Sequence, residues 1–181
     1  MFGLFRKRNK GVTVYDNIWI SEEAKFRACL EMNKANPTIV FIAWFEETRI
    51  ALENFFQKNS VVKQVHLADR LNAGFADKEL IFVEHHPLSS EEQRIATELG
   101  KNEITVLSAL SEPLFQLFNS DKIIEMMKNM GINEDEKLEN EMISNSVRRA
   151  QEEIAKKTII SGSARSQADW MLNAGIGQQF S

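Results

Sequence analysis

The sequence predicts an α/β fold: a parallel sheet with flanking helices, followed by a C-terminal helical extension. Three observations carry this expectation. Strand-length apolar runs alternate with amphipathic helical stretches up to residue 111. Two of the runs, Thr38–Trp44 and Leu80–Val83, are apolar throughout, as strands covered on both faces are. From Glu112 onward only helical patterns follow. Such alternation with short connections is built as a parallel sheet, and the right-handed crossover rule leaves few topologies.

Ser21 has the chemistry to cap a helix running to about Ala35, with Phe26, Cys29, Leu30 and Met32 facing inward. Asn36-Pro37 ends it, because the residue before proline is forced out of helical geometry. Thr38–Trp44 is the first predicted strand. Glu46–Lys58 is the next helix, burying Ile50, Leu52, Phe55 and Phe56. Val61–Leu67 alternates as a second strand, and Ala68–Ala76 reads as a short helical turn or loop. Leu80–Glu84 is the third strand. Ser89/Glu92 and Ser90/Gln93 both have capping-box spacing and open a helix that Gly100 closes. Ile104–Leu107 is the fourth strand. Helices over Leu114–Phe118, Asp121–Met130 and Leu138–Lys157 complete the extension. The predicted organisation is therefore a basic mobile tail (1–15), the α/β domain (16–111), the helical extension (112–158) and a small, polar C-terminal tail (159–181). Within that last tail, Gln167–Asn173 is an amphipathic turn with Trp170 as its anchor.

Composition narrows the function. Across 181 residues, 22 Lys+Arg stand against 26 Asp+Glu, a net charge of −4, which disfavours nucleic-acid binding through phosphate neutralisation. The single cysteine, Cys29, excludes an internal disulfide and a multi-cysteine zinc site. No apolar run reaches the roughly 18 residues that a membrane-spanning helix needs. At the N-terminus Phe2, Leu4 and Phe5 precede Arg6, Lys7, Arg8 and Lys10, the reverse of a secretory leader. A cytoplasmic location is expected, with weak membrane contact through residues 1–10 as the alternative to a free tail.

Few residues offer chemistry. Glu84, His85 and His86 follow a buried strand, where sites form in open α/β sheets, and His66 lies on a neighbouring strand. Successive residues of an extended chain point to opposite faces, however, so the histidines are poorly placed to share a metal ion. Ser108 and Ser111 lack a nucleophile turn, and Ser111 before Glu112-Pro113 reads as a helix cap. Cys29 reads as a small buried hydrophobe. Met126, Met127, Met130 and Met142 recur at helical spacing, suiting either core filling or an adaptable protein-binding face. Glu134–Glu136, with Glu139 and Glu141, is a solvated acidic loop or a lure for a basic partner. Trp170 and Met171 need burial, in this chain or in a partner.

One stretch carries a family likeness. Leu107-Ser-Ala-Leu-Ser-Glu-Pro-Leu-Phe-Gln-Leu-Phe, then Ser120-Asp-Lys-Ile-Ile, Met130-Gly-Ile, Glu134-Asp-Glu and Met142-Ile, follow one another in order. The series resembles the region that closes the second nucleotide-binding domain of the SecA preprotein translocase ATPases. Arg148-Arg-Ala-Gln151 is similar to that family's next helix, so the likeness spans about residues 104–155. Upstream, Glu22–Phe26 and Pro37–Phe56 resemble the opening segments of the same domain more loosely. The resemblance implies half of a helicase-type motor, a RecA-like fold.

The departures decide the expected activity. The family carries Gly-Arg-Gly-Thr-Asp and an arginine-rich segment that stabilises γ-phosphate charge. The corresponding stretch here, Glu91–Glu103, holds only Arg94 among its glutamates, and no phosphate-loop motif occurs in the chain. The resemblance therefore implies a degenerate ATPase: a non-catalytic interaction or regulatory module with no cofactor, whose protein partner belongs to the translocation machinery or is another motor half. Met126, Met127, Met130, Met142, Trp170 and Met171 are its candidate contacts. The alternatives are a regulatory protein that binds nucleotide without hydrolysis, and a hydrolase around Glu84, His85 and Arg94.

Overall fold

The computed structural model describes residues 11–138, 141–158 and 162–176. Five strands form one sheet: β1 (Thr13–Trp19), β2 (Val40–Ala43), β3 (Val65–Leu67), β4 (Leu80–Phe82) and β5 (Glu103–Ala109), in the order β1-β5-β4-β2-β3. Every pairing is parallel. The α/β class and the central places of the Thr38–Trp44 and Leu80–Val83 segments agree with the expectation.

The sheet's two faces follow from the alternation of side chains along each strand. Phe41, Ala43, Ile81, Val83 and Leu107 face one core, which α1 (Glu22–Ala35) and α2 (Glu46–Lys58) cover with Phe26, Cys29, Leu52 and Phe56. Ile42, Leu80, Phe82, Ile104 and Val106 face the other, covered by Ile95 and Ala96 of α3 (Ser89–Glu98), by Leu99 at its C-terminal cap and by Ala68. A third core gathers the extension: α4 (Pro113–Gln116), α5 (Ser120–Asn129), α6 (Glu141–Lys157) and α7 (Gln167–Asn173) pack around Ile18, Ile20, Phe45 and Leu110. Trp44, just beyond the end of β2, packs against both the second and the third core.

Local chemistry accounts for several boundaries. Ser21 Oγ accepts the Ala24 N–H at 3.2 Å, so the predicted cap forms. Gly100 and Gly131 both adopt positive φ (+67° and +74°) just beyond helix ends, where a side chain would be strained.

Several features differ from the sequence reading: Ile50 of α2, expected inside, is exposed, and only Val65–Leu67 of the expected Val61–Leu67 strand forms. Strand β1 lies partly in the stretch assigned to a tail: residues 13–15 belong to the sheet, whereas residues 1–10 lie outside the described part. Asp16 and Asn17 hid the strand by interrupting its apolar pattern. The capping boxes do not form; Leu88 precedes α3 without a side-chain cap, and Glu92 and Gln93 turn inward to other donors. Ser111 is not the α4 cap either, since Glu112 takes that position and accepts the Ala109 N–H at 2.9 Å. Leu138, expected in a helix, makes an antiparallel bridge with Ile18 instead. No helix among the described residues is long and apolar enough to cross a membrane.

Candidate functional site

Open parallel sheets offer their crevice at the carboxyl ends of the strands. Here that edge holds a buried charge cluster and a cavity of about 340 Å³ lined by Lys25, Glu84, Glu112, Thr48 and Gln167, among others. Lys25 comes from the first turn of α1 and is wholly buried. Its Nζ donates to Glu112 Oε1 at 2.6 Å and to the Val83 carbonyl at 2.7 Å. Burial by itself would depress its pKa, but the charge of Glu112, with Glu22 and Glu84 behind it, holds it above the ordinary lysine value.

Glu84 stands where β4 runs out, facing the N-terminus of α2. Its Oε1 accepts the N–H groups of Trp44 and Phe45, both at 3.0 Å, and its Oε2 accepts the Thr48 hydroxyl at 2.7 Å. Phe45 has no capping side chain of its own, so Glu84 caps α2 from another strand. Burial pushes the Glu84 pKa up to about 7, against the pull of Lys25. Burial also raises Glu112.

The next residue, His85, turns to the other side. Its Nδ1 lies 2.9 Å from Glu92 Oε1, and its Nε2 lies 3.1 Å from Asp16 Oδ1. Burial opposes the charged ring, yet the two carboxylates carry its pKa to about 10. Asp16, despite burial, is held below the usual carboxylate range by His85 and by Ser144 of α6. His86 turns back again, into an aromatic nest of Trp44, Phe45 and Trp170 at ring separations of 5.0, 5.9 and 5.3 Å. Burial lowers its pKa, and its Nδ1 accepts the Leu88 N–H at 3.0 Å.

Glu84, His85 and Arg94 are therefore not brought together. Arg94 sits half-exposed on α3, paired with Glu91 and Glu98. The two histidines occupy separate environments, and His66 stacks edge-on against Phe75. Among the described residues no three His, Cys, Asp or Glu side chains form a metal-holding group. Cys29 is fully buried, its thiol pushed up to about 12 by burial, which makes it inert. Ser108 is buried as well. Asp135 meets Arg27 of α1 at 2.6 Å, so the acidic loop answers a cation of its own chain.

The candidate contact residues divide. Met127, Trp170 and Met171 are buried in the third core, whereas Met126, Met130 and Met142 are exposed by 55%, 69% and 76%. The groove that receives Trp170 belongs to this chain. Sequence reading missed Lys25, Glu112, Asp16 and Glu92 as partners. A charged residue directly after an apolar strand, as in Val83-Glu84, was the one available signal; the pairing itself joins residues 87 positions apart. No family model matches the chain, and no curated protein matches it.

Proposed function

We propose that the chain is a non-catalytic protein-binding module of the helicase-motor type, resembling the second motor half of SecA and serving protein translocation. One observation carries the non-catalytic part of this reading. The groups with which a nucleotide-binding sheet grips phosphate are a helix N-terminus and a lysine at the carboxyl edge. Here Glu84 occupies the N-terminus of α2 and Glu112 occupies Lys25. Buried carboxylates thus stand where phosphate oxygens would be held, and further negative charge is repelled. The net charge of −4 points the same way for nucleic acid. The exposed Met126 of α5 and Met130 just beyond its end supply an adaptable apolar contact for a protein partner.

The test is calorimetric titration of the full chain with ATP and with the isolated first motor half of a SecA protein, beside an ATPase assay. The expected outcome is no turnover, no saturable ATP binding at about 1 mM, and a complex with the motor half in the micromolar range. Introducing Met126→Glu with Met130→Glu should weaken that complex about tenfold or more. Turnover above a contaminant control overturns the non-catalytic reading. Saturable ATP binding without turnover transfers the case to the nucleotide-binding alternative, and failure to bind the motor half removes the translocation link.

A further inference from the structure

The carboxyl-edge cavity has a floor and a roof of different kinds. Its floor is Lys25, Glu84 and Glu112, fastened to the sheet and to α1 and α2. Its roof is Ser166, Gln167 and Ala168, at the start of α7. The roof is held by few groups. The Gln167 side-chain amide accepts the Leu114 N–H at 2.7 Å and donates to the His85 carbonyl at 2.9 Å, while the Arg165 carbonyl accepts the Glu47 N–H at 3.0 Å. Trp170, Met171 and Ile176 provide its apolar anchorage, with Leu172 left 59% exposed.

Helix α6 is held more firmly. It runs for 17 residues, buries Ile143, Val147, Ala150 and Ile154, and adds a Gln151 bond to the His86 carbonyl. Helix α7 has seven residues, and its described hydrogen bonds to the rest of the chain reach α4 and the loop after β4 rather than a strand. Segments with few buried anchors and side-chain rather than ladder hydrogen bonds open below the global unfolding free energy. Ser166 caps α7 through the Asp169 N–H at 3.1 Å, so the helix is set locally and can detach as a unit.

We propose that residues 163–176 form a strap that opens independently of the sheet and, in opening, uncovers the Lys25–Glu84–Glu112 cavity. The closed strap keeps the buried charges from solvent and fills the aromatic nest of Trp44, Phe45 and His86 with Trp170. The open strap presents both at the carboxyl edge.

Hydrogen exchange of the full chain, followed by mass spectrometry at low denaturant, tests the opening. Amides of α7, with Leu114 and Glu47, should exchange about a hundredfold faster than those of β5 and with little denaturant dependence. Trp170→Ala should speed the strap about tenfold more and leave β5 unchanged. Should that variant not fold, Gln167→Ala offers the same comparison at Leu114. The uncovering is read by thiol labelling of a Glu84→Cys variant, whose substituted position is buried in the cavity floor, against the native buried Cys29. The introduced thiol should label at the strap's rate and Cys29 at the slower rate of β5. A strap that exchanges in step with β5, variants that speed both alike, or an introduced thiol that labels only with Cys29 overturns the proposal.

Discussion

Glu84 and His85 are adjacent, yet each organises a different buried charge cluster. Glu84 shares its cavity with Lys25 and Glu112 and ties α2 to the sheet; His85 is clasped by Asp16 and Glu92 and ties β1 to α3. In the first cluster burial, with the nearby Glu112 charge, outweighs the pull of Lys25, so Glu84 sits near 7 and changes charge close to neutrality. The second places one cation between two carboxylates, so its His85 stays charged to about pH 10. Extended geometry turns neighbouring side chains to opposite sides; burial then dominates the carboxyl, whereas the flanking carboxylates outweigh burial for the ring. Two residues in sequence become two distinct electrostatic devices, linked through the charge of His85 acting on Glu112.

Breaking the first cluster should have the largest effect. Lys25→Met leaves Glu112 and the Val83 carbonyl without their donor and should destabilise by about 3–5 kcal/mol in urea unfolding. Adding Glu112→Leu should recover much of that loss, because an apolar pair can replace a buried ion pair. A double variant no better than the single one would show that Glu112 serves chiefly the Ala109 N–H.

His85→Leu should cost about 3 kcal/mol, since it leaves Asp16 and Glu92 buried without their cation. Glu92 retains the His86 N–H, which keeps this effect below that of Lys25.

The pH dependence separates the clusters. A carboxyl raised from 4.5 to about 7 binds its proton more tightly in the folded state, so stability falls as pH rises from about 4.5 to 7. A histidine raised from 6.5 to about 10 contributes fully below pH 6.5 and loses that contribution as pH climbs to 10. Melting temperature should therefore decline in two stages above about pH 5. Glu84→Gln should make the lower stage shallower, leaving the share carried by Glu112, and cost about 1 kcal/mol, as a neutral amide still accepts the Trp44 and Phe45 N–H groups. His85→Leu should flatten the upper stage. A single variant that removes both would mean the clusters titrate as one.

The smallest effect calibrates the others. Arg94→Ala removes only exposed pairs with Glu91 and Glu98 and should change stability by less than about 1 kcal/mol, with no change in either pH stage.

Much of the frame was legible before folding because its causes are local. Glu46–Lys58 forms over the expected residues, since apolar spacing and acidic first-turn residues act within the helix. The continuous apolar runs of β2 and β4 mark them as inner strands by themselves, because polar alternation would have met covered faces on both sides. Cys29 and the Ser21 cap follow from neighbours within about four residues. Strand β1 was hidden for the opposite reason: as an edge strand it carries Asp16, whose polarity makes sense only beside His85. Glu92 fitted a capping box by spacing, yet two donors brought close by the turn after β4, the His85 ring and the His86 N–H, claimed it. Likewise Lys25 and Glu112 lie on different elements, and burial, which neither residue carries in its own neighbourhood, forces them together. Trp170 needed a groove on any reading; that the groove is lined by His86, Trp44 and Phe45 of the same chain was decided by the fold. Local periodicity and capping are written in short windows of sequence, whereas the partners of a buried charge are chosen by which strand ends the sheet places side by side.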